Sequence, residues 1–172
     1  MILSVVMIKG FFTALITAVL LLSSISFAIA QSNNSSVSSQ IMEVNKVTNL
    51  RDRLWERITL FFKFSNSDKV NYQQYLAQKR FAELKYVIDS GQGNLIEDTS
   101  SRYSTYLGRL TDLIVKNKMV DKKEETLKMF ESHLPILEDL LSDQEYNSGF
   151  WLLLQHDINY LKLYVDQIKN VN

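Results

Sequence analysis

Cysteine is absent from this chain of 172 residues, proline occurs once and glycine five times. Without cysteine there can be no disulfide framework, no thiol nucleophile, no thiolate-bound zinc and no lipidated cysteine. The scarcity of glycine and proline weighs against a β-rich fold, which needs a turn roughly every 8–12 residues and draws on those residue types to make them. Long helices need few turns. An excess of one charge is missing as well, since 19 Lys and Arg balance 19 Asp and Glu. Lys9 is the single charged residue before position 31, so the remainder carries 18 basic and 19 acidic side chains. Such a balance offers no long-range attraction to nucleic acid or to an anionic membrane, and nucleic-acid binding is not expected.

What is present begins with an export signal. Lys9 precedes an apolar run from Phe11 to Leu22, and a small-x-small site follows at Ala28-Ile29-Ala30. This is the order of a signal peptide over residues 1–30, with Ala28 and Ala30 as the cleavage signal and Gln31 as the first mature residue. Met7 lies two residues before Lys9 and would start a more compact signal than Met1. The alternative is an uncleaved anchor, which would be the chain's only attachment to a membrane. On either reading the rest is exported: secreted, periplasmic or displayed at the cell surface. Residues 31–43, opening QSNNSSVSSQ, read as a flexible polar tether.

From residue 44 to 172 apolar residues recur at helical spacing, which predicts an all-α domain of about five helices, as an antiparallel bundle or stacked helical hairpins. The first helix, about 47–62, carries Leu50, Leu54, Ile58 and Phe61 on one face. The second, about 67–90, carries Val70, Ala77, Phe81, Leu84 and Ile88, with Asn66 or Ser67 as its cap and Gly91-Gln92-Gly93 as its stop. Asn94 with Glu97, Asp121 with Glu124 and Ser142 with Glu145 have capping-box spacing and mark three further starts. Their stripes run through Tyr103, Tyr106, Leu110, Leu113 and Ile114, then Leu127, Phe130, Leu134, Leu137 and Leu141, then Trp151, Leu154, Ile158, Leu161, Val165 and Ile168. Pro135 falls inside the fourth stripe and should kink that helix, the alternative being a new helix capped by Ser132.

Candidate chemistry is sparse. His133 and His156 lack carboxylates at the spacing that would share a helix face, and both read as exposed or capping residues. Glu97-Asp98, Glu124-Glu125 and Glu138-Asp139 are adjacent pairs that diverge by about 100° on a helix and cannot converge on one substrate atom. Arg51, Arg53, Glu56 and Arg57 read as a solvated charged face, with Arg53 within reach of Glu56 and Arg57. No catalytic, cofactor-binding or metal-binding residue is assigned. The aromatic residues Trp55, Phe61, Phe62 and Phe64 are the candidate interaction patch, if exposed, although large aromatics more often bury in a core.

The stretch LRDRLWERITLFFKFSNSDKVNYQQYLAQKRFAEL, residues 50–84, resembles an uncharacterised domain family of exported or membrane-anchored bacterial proteins. The carrying parts are Glu56-Arg57, then Phe61-Phe62-Lys63-Phe64, then Leu76-Ala77-Gln78-Lys79-Arg80-Phe81-Ala82-Glu83. The chain departs from the family pattern at Ser65-Asn66, where Asp-Pro is frequent, and at Gln78, where an acid is usual. The resemblance implies an exported helical domain and assigns it no activity. Together these features lead us to expect a non-enzymatic module for binding an as yet unidentified protein partner or for envelope structure. The alternatives are an extracytoplasmic sensor or chaperone that binds metal or apolar segments, and, from a third class, a hydrolase.

Overall fold

The computed structural model describes residues 42–172. The expected signal sequence with its Ala28 and Ala30 site, and nearly all of the expected tether, lie outside the described residues. Five α-helices and one short 3-10 turn make up the described part: α1 (Leu50–Phe61), α2 (Asn66–Asp89), the turn Gly93–Leu95, α3 (Ile96–Lys116), α4 (Val120–Ser142) and α5 (Gly149–Lys169). The all-α expectation holds.

The stripes of α2 to α5 meet in one core. Val70, Ala77, Phe81 and Leu84 of α2 are buried with Tyr103, Leu110 and Ile114 of α3, Phe130 and Leu137 of α4, and Leu154, Ile158 and Leu161 of α5. Burying each Leu, Ile or Phe contributes about 1.5–3 kcal/mol relative to leaving it in water. Two hairpins stack to make this core. In the first, Asn66 at the start of α2 hydrogen-bonds Asn117 at the end of α3, so the two helices are antiparallel. In the second, Lys123 near the start of α4 donates to the carbonyls of Lys169 and Val171 at the end of α5.

Between the hairpins the helices run parallel. Gln74 meets Thr126 and Phe81 stacks on His133, the same offset twice along α2 and α4. The space beside Gly93 is filled by Phe150, and that beside Gly108 by Tyr164, again a near-constant offset. Of the two forms expected, the molecule is therefore stacked hairpins rather than a bundle with antiparallel neighbours throughout. A three-residue link, with Lys118 at φ 49°, carries the chain from α3 to α4.

Helix ends correct the sequence reading. The cap of α2 is Ser65, not Asn66 or Ser67, and its hydroxyl accepts from the Asp68 N–H. None of the three capping-box pairs opens a helix with a side-chain cap. Leu95 and Met119 precede α3 and α4 without such a bond, and the entries are fixed instead by the burial of Ile96 and Met119. Ser142 closes α4, its hydroxyl donating to the Asp139 carbonyl, and Ser148 caps α5 six residues later. A Ser, Asn or Asp three residues before an acid recurs inside helices as well as at their starts, so the spacing alone does not fix an entry. The stop after α2 is as expected, with Gly91 at φ 67° receiving the chain beyond Ser90. Pro135 sits inside an unbroken α4, which rules out a restart there; Ser132 bonds back to the Met129 carbonyl and caps nothing.

Candidate functional site

The first helix is inside out relative to the others. Asn49 caps it, its side chain accepting from the Asp52 N–H at 2.8 Å, and it ends where the Phe62 N–H bonds the Ile58 carbonyl. Within these limits the buried residue is Glu56, while the apolar stripe faces water: Leu50 is 75 % exposed, Leu54 57 % and Phe61 78 %. Trp55 at 60 %, Phe62 at 62 % and Phe64 at 86 % lie in the open too. The preference of large aromatics for the core is thus overridden at all four residues of the candidate patch.

Charge explains the inversion. Arg80 of α2 is completely buried, and its guanidinium donates to both carboxylate oxygens of Glu83, at 2.7 and 2.6 Å, and to Glu56 of α1. Lys79 reaches the other oxygen of Glu56 at 2.7 Å. Thr48, just before α1, donates its N–H to Glu83 at 3.1 Å and its hydroxyl to the same oxygen. The Arg80 guanidinium also lies 5.0 Å from the centre of the Tyr106 ring. Two carboxylates and two cations therefore neutralise one another. Burial works against the charge on Arg80, but Glu83 and then Glu56 outweigh it and hold the guanidinium protonated more firmly than usual. Glu83 alone leaves the buried Arg80 Nη2 without a partner, and an unbonded buried ionic group is far costlier than an exposed leucine, so α1 turns Glu56 inward and its apolar stripe outward. This corrects the expected solvated face. Glu56 pairs across to α2 rather than with Arg53, while Arg51 and Arg57 remain at the surface.

The patch should be dispensable for folding. Replacing Phe61, Phe62 and Phe64 together by Ser is expected to change unfolding free energy by less than about 1 kcal/mol, as for other exposed positions. Phe81→Ser, in the core, should cost several kcal/mol. Urea unfolding of the two variants checks the contrast.

A second group of polar residues lies deep in the hairpin stack. His133 is buried, not exposed or capping as its sequence context suggests; its ring stacks on Phe81 at 3.9 Å between centroids, and Nδ1 hydrogen-bonds the Tyr103 hydroxyl at 3.0 Å. Burial pushes His133 down to about 3, so it is neutral. Asp157 of α5 is also buried, pushed up to about 7 by burial against a weaker opposing hydrogen bond with Ser100, and its Oδ2 has no partner. Burial and then Asp157 hold the Tyr103 phenol well above its ordinary value. Shifts of this kind mark catalytic sites when they line a cleft. Here the residues are sealed at 0–3 % exposure, beyond the reach of a substrate.

The remaining candidates stay apart. His156 is exposed, as expected. Glu124 pairs with Lys128, Glu125 with Lys122, Glu138 with Lys162 and Asp98 with Arg102, all at the surface and none converging. Among the described residues no three His, Cys, Asp or Glu side chains come together as a metal site. A shallow groove of about 380 Å³ between α4 and α5 is floored by Phe130, Leu134, Leu161 and Val165, and Lys169–Glu131 bridges its rim at 3.5 Å. The buried ions and Asp157 escaped the sequence reading. Their signal was position: Arg80 lies between Ala77 and Leu84, and Asp157 between Leu154 and Leu161, each inside an inward stripe.

The segment holding α1, the ionic cluster and His133, residues 51–136, matches the family described as Domain of unknown function (DUF5667). The chain belongs to that family. The DUF5667 match ends one residue after Pro135, so α5 and its Asp157 lie beyond it. No curated protein and no solved structure matches the chain. Membership in DUF5667 brings no assigned activity, and the function is unknown.

Proposed function

We propose that this DUF5667 chain is an exported, non-catalytic helical module that works by binding, with the outward face of α1 as its contact surface. One observation carries the reading: α1 leaves Leu50, Leu54, Trp55, Ile58, Phe61 and Phe62 in water along a single helix. Covering the most exposed of them would gain up to about 1.5–3 kcal/mol each, and the half-covered Ile58 less, which the isolated chain forgoes. Contiguous apolar surface of this kind marks contact sites in soluble domains. Export is supported by Lys9, the run Phe11–Leu22 and the Ala28-x-Ala30 site.

The test is site-specific photo-crosslinking in living cells. A photoreactive residue at position 58, on the outward face of α1, should give abundant adducts. The same residue at position 155, on α5, is the background. Equal yields at both positions would overturn the reading, because the face would then have no occupant.

A further inference from the structure

We infer that the outward face of α1 docks on an anionic lipid bilayer, lying along its surface; this rests on the binding role proposed above. The first support is the sorting of charge around the helix. At about 100° per residue, Leu50, Phe61, Leu54, Ile58, Phe62 and Trp55 fill an arc of about 140°. Arg51 projects within that arc near its amino-terminal end and Arg57 borders it, and neither joins an ion pair among the described residues. The two acids of α1, Asp52 and Glu56, fall on the other side, where Glu56 is held by Arg80 and Lys79. The face presented to the surroundings is therefore apolar and basic without an acid, although the whole chain is neutral.

The second support is residue type and length. Trp55 and the Phe61-Phe62-Lys63-Phe64 run place large aromatics beside cations, the composition of helices that lie at the headgroup boundary. A helix of 12 residues is far too short to span a bilayer, and among the described residues no helix is long and apolar enough to cross one. A second copy fits this face less well, since parallel pairing would bring Arg51 and Arg57 against their like and antiparallel pairing would still offer those cations no acid.

The experiment uses the full chain with Trp151→Phe, which leaves Trp55 as the single tryptophan. Because the apolar run contains no tryptophan, Trp55 reports on α1 even when that run holds the chain to the vesicle. On vesicles of phosphatidylcholine with phosphatidylglycerol, Trp55 emission should shift to the blue and be quenched by brominated acyl chains. Without phosphatidylglycerol the quenching should fall sharply. Arg51→Gln with Arg57→Gln should weaken the anionic preference about twenty-five-fold, at roughly fivefold per cation near such a surface. A chain that sediments with vesicles while Trp55 stays in water overturns the inference, as does quenching indifferent to phosphatidylglycerol. If position 58 crosslinks to protein while Trp55 is not quenched, the lipid assignment falls and the binding role stands; if position 58 gives only background, both fall.

Discussion

Arg80→Met should destabilise the domain by about 3–5 kcal/mol, more than most single core truncations, although methionine fills much of the same space. Arg80 is wholly buried between Glu83 and Glu56, and its loss leaves two carboxylates facing each other with only Lys79 nearby. Uncompensated buried charge sets the size of the effect, not lost packing. A second change separates the two explanations. Glu83→Gln in the Arg80→Met background keeps the acceptor for Thr48 while removing one charge, and should recover part of the loss. If the double variant is no more stable than Arg80→Met in urea unfolding, burial of charge is not what makes Arg80 matter.

The second large effect is a dependence on pH that the native chain conceals. Unfolded His133 gains a proton near 6.5 and folded His133 only near 3, so between these values the unfolded state holds an extra proton and stability falls as pH falls. Asp157 behaves oppositely. It holds its proton to about 7 when folded and loses it near 4 when unfolded, so stability falls as pH rises through that interval. From about pH 4 to 6.5 the two slopes oppose each other, each about 1.4 kcal/mol per pH unit, and their sum is near zero. Asp157→Asn removes one of them. Its unfolding free energy should climb by about 3 kcal/mol over two pH units of that window, whereas the native chain stays level. Urea titrations at a series of pH values decide this, and a variant as level as the native chain would remove both His133 and Asp157 from the argument.

The inward stripes of α2 to α5 were legible in the sequence because large apolar residues at helical spacing have one stable destination, a shared core. The same periodicity in α1 gave the helix and its apolar face correctly but not the direction of that face. Direction was decided by Arg80, a residue on another helix whose burial demanded an acid from α1. Periodicity holds no information about that demand. Helix starts failed for a related reason. Capping-box spacing is local, while the entries to α3 and α4 are set by burying Ile96 and Met119 in contacts distant in sequence. His133 and Asp157 were hidden by the assumption that titratable side chains seek water, although both stand at inward positions of their helices. The candidate patch was nameable from residue type alone; its exposure was not.

The inverted helix also changes what coming apart means for this molecule. Lifting α1 away would hydrate a set of ions and leave the four-helix core closed, so that motion uncovers little oily surface and invites little aggregation. The chain thus has a detachable element whose release is governed by the solvation of charge rather than by the melting of the core. In amide exchange it would form its own unit, opening ahead of α2 to α5 and closing again without refolding them.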